Sequence, residues 1–260
     1  MVVPQLPQEI VEEIIDNLTG DKKSLFSCSV VSTSWVDRCR HHLFADVKFH
    51  SLLELRLWLH AGFIRYGQHV RYLDLSQPPE RAWITPDTLS ITLDSFTSFR
   101  NVESLVFTNL DLSLFNESSL ARFFGHMGRL TSLSIEVSTV IPGQLGFFVC
   151  MFPRLDDLKL DGLIARNKKS SFTKPSITPR FRGKLTLLNL TSDGTSIIAP
   201  FIDPQIPMAF KEVHVESCRF DTPRSLKDVF VACQEKVKVV KVSKIYLGEL
   251  YFRGSPPRSS

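Results

Sequence analysis

The sequence predicts an α/β protein: a three-helix module over residues 1–46, then an irregular solenoid of parallel strands over 47–250. Three observations carry that expectation. The stretch "LPQEIVEEIIDNL" is strongly amphipathic, the apolar pattern ΦxxΦxΦ recurs seven times behind it, and helix-like apolar spacing fills several of the intervals.

Composition sets the outer limits. A chain of 260 residues with 43% hydrophobic content suits one large globular domain or two unequal ones. The start "MVVPQLPQEIVEE" turns acidic before an apolar run builds up, and "SLLELRLWLHAGFI" is broken by Glu54, Arg56 and His60, so neither a signal peptide nor a membrane span is expected. Cys28, Cys39, Cys150, Cys218 and Cys233 are odd in number, spread out and set among apolar neighbours, as fits reduced thiols in a cytoplasmic or nuclear protein. Net charge is +4, yet the segment from Gly162 to Lys184 holds seven Lys or Arg and no Asp or Glu, so the basicity is local.

In the first helix Ile10, Val11, Ile14, Ile15 and Leu18 form one stripe spanning about 140°, with Glu9, Glu12, Glu13 and Asp16 on the other side. Gly20 and Asp21 supply a stop and a start. Leu25, Cys28 and Val31 recur at helical spacing in a second helix, and Ser32 can cap a third in which Trp35, Cys39 and Leu43 share a face. A unit this small buries too little of its own surface to stand comfortably alone, so its stripes await the following domain or another protein.

The order Leu6-Pro7, Glu9, Ile10, Leu25, Cys28, Val31-Ser32, Trp35 and Leu43-Phe44 resembles the F-box over residues 6–44, with Phe44 standing where many members have tryptophan. The resemblance implies docking on a Skp-type adaptor, which a cullin joins to a ubiquitin-conjugating machine. The contacts it implies are Leu6, Pro7, Ile10, Ile14, Leu25, Val31 and Trp35, with Trp35 equally open to a role in the module's own core.

The repeat reads Val70-Leu73-Leu75, Val102-Leu105-Phe107, Leu130-Leu133-Ile135, Leu155-Leu158-Leu160, Leu185-Leu188-Leu190, Phe210-Val213-Val215 and Val237-Val240-Val242. Its periods resemble those of leucine-rich repeats, and "FADVKF" reads as a poorly matching first strand. That pattern also wants Asn or Cys eight residues after the first Φ, which only the Phe210 copy supplies, as Cys218. Helical spacing appears at Leu89, Leu93 and Phe96, at Leu120, Phe123, Phe124 and Met127, and at Leu226, Val229, Phe230 and Cys233.

Strand alternation sends the residue between the last two Φ positions to the outer, concave face: Asp74, Val106, Ser134, Lys159, Asn189, His214 and Lys241. Ser76, Thr108, Glu136, Asp161, Thr191, Glu216 and Ser243 join them. Asp74, Ser134, Lys159, Asn189, His214 and Lys241 are the candidates for holding a target, weighed against plain solvation.

Neither a GxSxG elbow nor a glycine-rich phosphate loop appears, so the sequence points away from a hydrolase or nucleotide enzyme, and no cofactor is expected. Cys28, Cys39, His41 and His42 match no common zinc spacing. The basic segment 162–184 raises nucleic acid as a rival partner, but its Ser, Thr and Pro content reads better as an exposed insertion. There Arg166, Lys168 and Lys169 become candidates for an acidic or phosphorylated target. Residues 251–260 are expected to form a disordered tail. The expectation is a non-catalytic substrate-recognition adaptor of a ubiquitin ligase; its rivals are a repeat-based interaction protein with no ligase role and an enzyme whose site is assembled from dispersed residues.

Overall fold

Asp21 and Ser32 punctuate the helical start of the chain. The computed structural model describes residues 6–78, 84–85, 87–88, 96–166, 181, 183–190, 197, 201, 210–220, 227 and 237–247. Helices α1 (Gln8–Asn17), α2 (Lys22–Val31) and α3 (Thr33–Leu43) form the N-terminal region. The Asp21 carboxylate accepts from the Ser24 amide at 3.1 Å, and Ser32 caps α3 from an extended conformation that also ends α2. Val11, Ile15, Leu25 and Cys39 make a sealed core of their own, with Leu18, Cys28, Trp35 and Leu43 packed against it.

Polar contacts tie the module together around Asp16. Its carboxylate accepts two hydrogen bonds from the Arg38 guanidinium and lies 2.8 Å from His42 Nε2, linking α1 to α3. Those bonds, Arg38's first and His42's second, pull the Asp16 carboxyl down to about 2.

Behind the module lies one parallel sheet whose eight strands follow chain order: β1 (Asp46–Phe49), β2 (Tyr72–Ser76), β3 (Ser104–Thr108), β4 (Ser132–Glu136), β6 (Asp157–Asp161), β8 (Lys184–Leu188), β9 (Glu212–Glu216) and β11 (Val239–Ser243). Short strands follow four of them and pair in parallel, β5 (Thr139–Val140) with β7 (Ile164–Ala165) and β10 (Arg219–Phe220) with β12 (Tyr246–Leu247). The expected strand in "FADVKF" is β1, in register with β2.

Most of the strands share one pattern at their ends. The carbonyls of Ala45, Arg71, Glu103 and Thr131, just before a strand, each accept from two successive amides of the next coil. Just after the strands stand Asn109, Val137, Gly162, Asn189, Ser217 and Lys244, all with φ between 46° and 61°. Their left-handed conformation turns the chain out of the sheet. The Asn109, Val137, Gly162, Asn189 and Ser217 amides each donate to the carbonyl of the next strand's last residue.

The residue after the corner, where the repeat pattern wants Asn or Cys, is buried: Leu110, Ser138, Leu163, Leu190 and Cys218. Ser138 takes the asparagine's part, donating to the Glu136 carbonyl and accepting from the Leu110 amide. Where leucine stands there, the main-chain bonds at the corner suffice. The irregular motif thus leaves the corner geometry intact.

One register differs from the sequence expectation. Leu185 and Leu187, not Leu188 and Leu190, oppose Leu158 and Leu160. "KLTLLNL" offers overlapping leucine patterns, and the buried aromatic that precedes this strand, Phe181, sits one position earlier than the motif demands. Strand starts at 157, 184 and 212 then replace uneven spacings of 30 and 25 with 27 and 28. Gly183, just ahead of β8, allows this close approach, since a Cβ there would stand 1.9 Å from the Asp156 carbonyl oxygen.

Helices α4 (Leu52–His60), α5 (Glu117–Phe124) and α6 (Pro142–Met151) lie between strands. The spacing of Leu120, Phe123, Phe124 and Met127 anticipates α5, and all four are buried. Helix α6 escapes a search for amphipathic period because Leu145, Gly146, Phe147, Phe148 and Val149 bury every face. Its Gln144 is sealed yet satisfied, accepting from the Ile141 amide and donating to the Leu112 and Phe115 carbonyls of the preceding coil. The expected helices at 89–96 and 226–233, and the tail 251–260, fall almost wholly outside the described residues. Among the described residues, no helix is long and apolar enough to cross a membrane.

Candidate functional site

Two surfaces carry the candidate residues. On the module, α1 is apolar on two sides. Val11 and Ile15 face inward, while Leu6 (60% exposed), Ile10 (43%) and Ile14 (49%) lie open to solvent. Pro7 precedes α1 and is exposed too; its carbonyl accepts from the Ile10 and Val11 amides. On α2, Val31 is 67% exposed.

Leu25 requires correction as a contact candidate. At 1% exposure it belongs to the module core beside Val11, Ile15 and Cys39, so its side chain is not presented to a partner. Trp35 is half-buried and packs on that same core. Phe26 and Val30 of α2 are exposed apolar residues that sequence reasoning passed over. Their helix shows little amphipathy, so periodicity alone gave no face to assign.

The sheet's outer face is the second surface. Three candidates come together in one network there. Lys159 Nζ lies 2.8 Å from Glu136 Oε1 and 3.4 Å from Asp161 Oδ2, Ser134 donates to the same Glu136 oxygen at 2.9 Å, and the Asn189 amide donates to Asp161 Oδ1 at 2.8 Å. Asn189 reaches the network from a left-handed corner, not from the middle of a strand; the mid-strand position of β8 belongs to Thr186, opposite Lys159. Thr191, grouped with this face by the same misreading, lies outside the described residues.

Asp74 and Ser134 are mostly enclosed, although their positions on the strands do point outward. Asp74 accepts from the Ser76 hydroxyl and stands 3.7 Å from Lys48 Nζ. Burial, with Asp74, Glu136 and Asp46 nearby, pushes the Tyr72 phenol up. Across the sheet, His214 Nε2 lies 3.4 Å from Glu212 Oε2, near enough to attract but not aligned to hydrogen-bond, and burial together with Lys184 and Lys241 holds its imidazole below the ordinary value. Lys241 is exposed on the edge strand β11.

The described ends of the basic segment are built into the fold. Gly162 is a corner, Leu163 is core, and Ile164–Ala165 is a strand. Arg166 is not a free loop cation: its Nη1 lies 3.2 Å from Asp111 Oδ2 and 2.9 Å from Ser113 Oγ, reaching past the intervening coil to the one after β3. At the far end Phe181 is buried against Phe210, with ring centroids 5.4 Å apart. Lys168 and Lys169 lie outside the described residues.

The outer face presents paired charges and hydroxyls on a rigid ladder, a surface able to bind by exchanging hydrogen bonds. The described cysteines are free; burial pushes the Cys150 thiol up to about 11 and raises those of Cys39 and Cys218. No protein-family model matches the chain, and no curated protein matches it.

Proposed function

We propose that the chain is a non-catalytic substrate-recognition subunit of a Skp–cullin–F-box ubiquitin ligase, working in the cytoplasm or nucleus. The N-terminal helices dock on a Skp-type adaptor. The strands behind them, read as a degenerate leucine-rich-repeat solenoid, hold a target protein. The carrying observation is the divided stripe of α1: Val11 and Ile15 are sealed by the module, whereas Leu6, Ile10 and Ile14 are bare. Fully covering such a side chain from water is worth roughly 1.5–3 kcal/mol, and with about half of each surface still exposed the three together favour a protein partner over water by roughly that much.

On this reading the work is done by proximity. Tethering a target beside the conjugating enzyme raises its effective concentration without any catalytic group on this chain. Lys159 with Glu136, Asp161, Ser134 and Asn189 is the rigid polar patch best placed to select a target. Co-purification with the adaptor and cullin is the test. The intact chain is expected to capture both, and Ile10→Asp to lose them together. Capture of a target without adaptor or cullin would instead mark a repeat-based interaction protein with no ligase role.

A further inference from the structure

Histidines crowd the place where α3 meets the sheet. The His41 ring stands edge-on to that of His69, with centroids 6.0 Å apart, and edge-on to His42 at 5.4 Å. His69 ends the short 3-10 helix Phe63–His69, which leads into β2. Beside these rings Phe44 stacks flat on Tyr66, at 4.6 Å and 6°, and the Arg40 guanidinium lies 5.0 Å from the Tyr66 centroid. The Ala45 carbonyl accepts from the Arg71 and Tyr72 amides at 2.8 and 2.9 Å. Chain direction changes here from helical module to sheet, and these contacts set the angle.

The charges around the two rings are mostly positive. His41 faces His42 and Arg38 from α3, His69 from the 3-10 helix and Arg71 from the head of β2. His69 faces Arg40 and Asp37 from α3, and Arg71. Asp16 is already engaged by Arg38 and His42, and Glu103 by Arg71 at 2.6 Å, so among the described residues Asp37 is the carboxylate whose charge acts on His69. Burial first, and then these cations, hold both imidazoles below their ordinary value, with Asp37 opposing at His69.

We propose that His41 and His69 form a pH-sensitive joint between the helical module and the sheet, closed while both rings are neutral and loosened when they are protonated. Neutral rings can pack edge to face. Two imidazolium rings among Arg38, Arg40 and Arg71 repel one another, and the relief available is to part α3 from the 3-10 helix while the sheet core, remote from the charges, holds. Because both folded-state values are depressed, the contribution is present in full above the ordinary imidazole value and is lost as pH falls through the depressed ones. The joint needs no partner, so it stands whether or not the ligase reading does.

The test uses the full chain at about pH 7.5 and about pH 5.5. Ring NMR is expected to show His41 and His69 titrating below free imidazole. Amide exchange, corrected for its intrinsic pH dependence, is expected to quicken about tenfold at Arg71 in acid while the Leu133 amide in β4 keeps its protection. In His41→Gln combined with His69→Gln, the Arg71 acceleration should vanish. Rings that titrate at or above the free value would overturn the joint, as would equal loss of protection at Arg71 and Leu133, or acid acceleration that survives in the double variant. Should that variant not fold, the wild-type ring titration and the Arg71–Leu133 comparison still decide.

Discussion

Leu187 lies directly across from Leu160 in the ladder between β6 and β8, and Leu188 lies across from Asp161. Two adjacent leucines therefore face opposite sides of one sheet. Leu187→Asp should be severe, because a buried carboxylate without a partner costs several kcal/mol against a total of roughly 5–15. Leu188→Lys, which places a cation between Asp161 and Glu216, should cost less than about 1 kcal/mol. Thermal melting of the two variants decides, and equal damage would reject the register.

Val137 holds φ at 46°, where a β-branched side chain is strained, and it is exposed enough to contribute little packing. Val137→Asn should therefore stabilise the fold by about 1 kcal/mol, since asparagine tolerates the left-handed region better. For a chain of this size that raises the melting temperature by about 2–4 °C. A lowered melting temperature would mean that the valine side chain stabilises the corner by packing on its neighbours.

Ile10 and Ile15 share a helix and divide its roles. Ile10→Asp is expected to leave melting unchanged yet weaken adaptor binding at least about tenfold. Ile15→Asp should unfold the module and abolish binding indirectly. Circular dichroism alongside pull-down separates the two, and loss of helix in the Ile10 variant would count against a surface role.

Asp16 supplies an acid limb to the module's stability. Its carboxyl is drawn down to about 2 by Arg38 and then His42. The folded value is thus below the ordinary one, so the stabilisation is present above the ordinary carboxylate range and fades as pH falls toward 2. Asp16→Asn should be less stable near neutrality and show a flatter acid limb, measured by melting between about pH 5 and about pH 2. An unchanged acid limb would show that other carboxylates dominate it.

What the sequence made legible depended on how one-sided each element is. Val70, Val102, Leu105, Leu133 and Leu158 recur on a buried face beside polar neighbours, so their strands stand out. The start of α1 was equally clear, but one stripe could not reveal that Ile15 is sealed and Ile14 is bare; the boundary is set by where α3 lies. Helix α6 was hidden because all its sides are apolar. Arg166 looked like part of a charge run, since its partner Asp111 is 55 residues away in the chain and two coils away in space. Leu25 carried a motif position whose burial only the packed helices disclose.

Where a clamp precedes a strand and a left-handed corner follows it, as at β3, β4 and β11, the two fix the length of the segment between them. A residue deleted between Ser104 and Asn109 would turn inward-facing side chains outward and break two ladders at once. The return path has no such rule: successive strands begin 26, 32, 28, 25, 27, 28 and 27 residues apart, yet neighbours stay in register. The fold therefore separates a part intolerant of insertion from one that absorbs it, and new length can be added behind the sheet without disturbing the face in front.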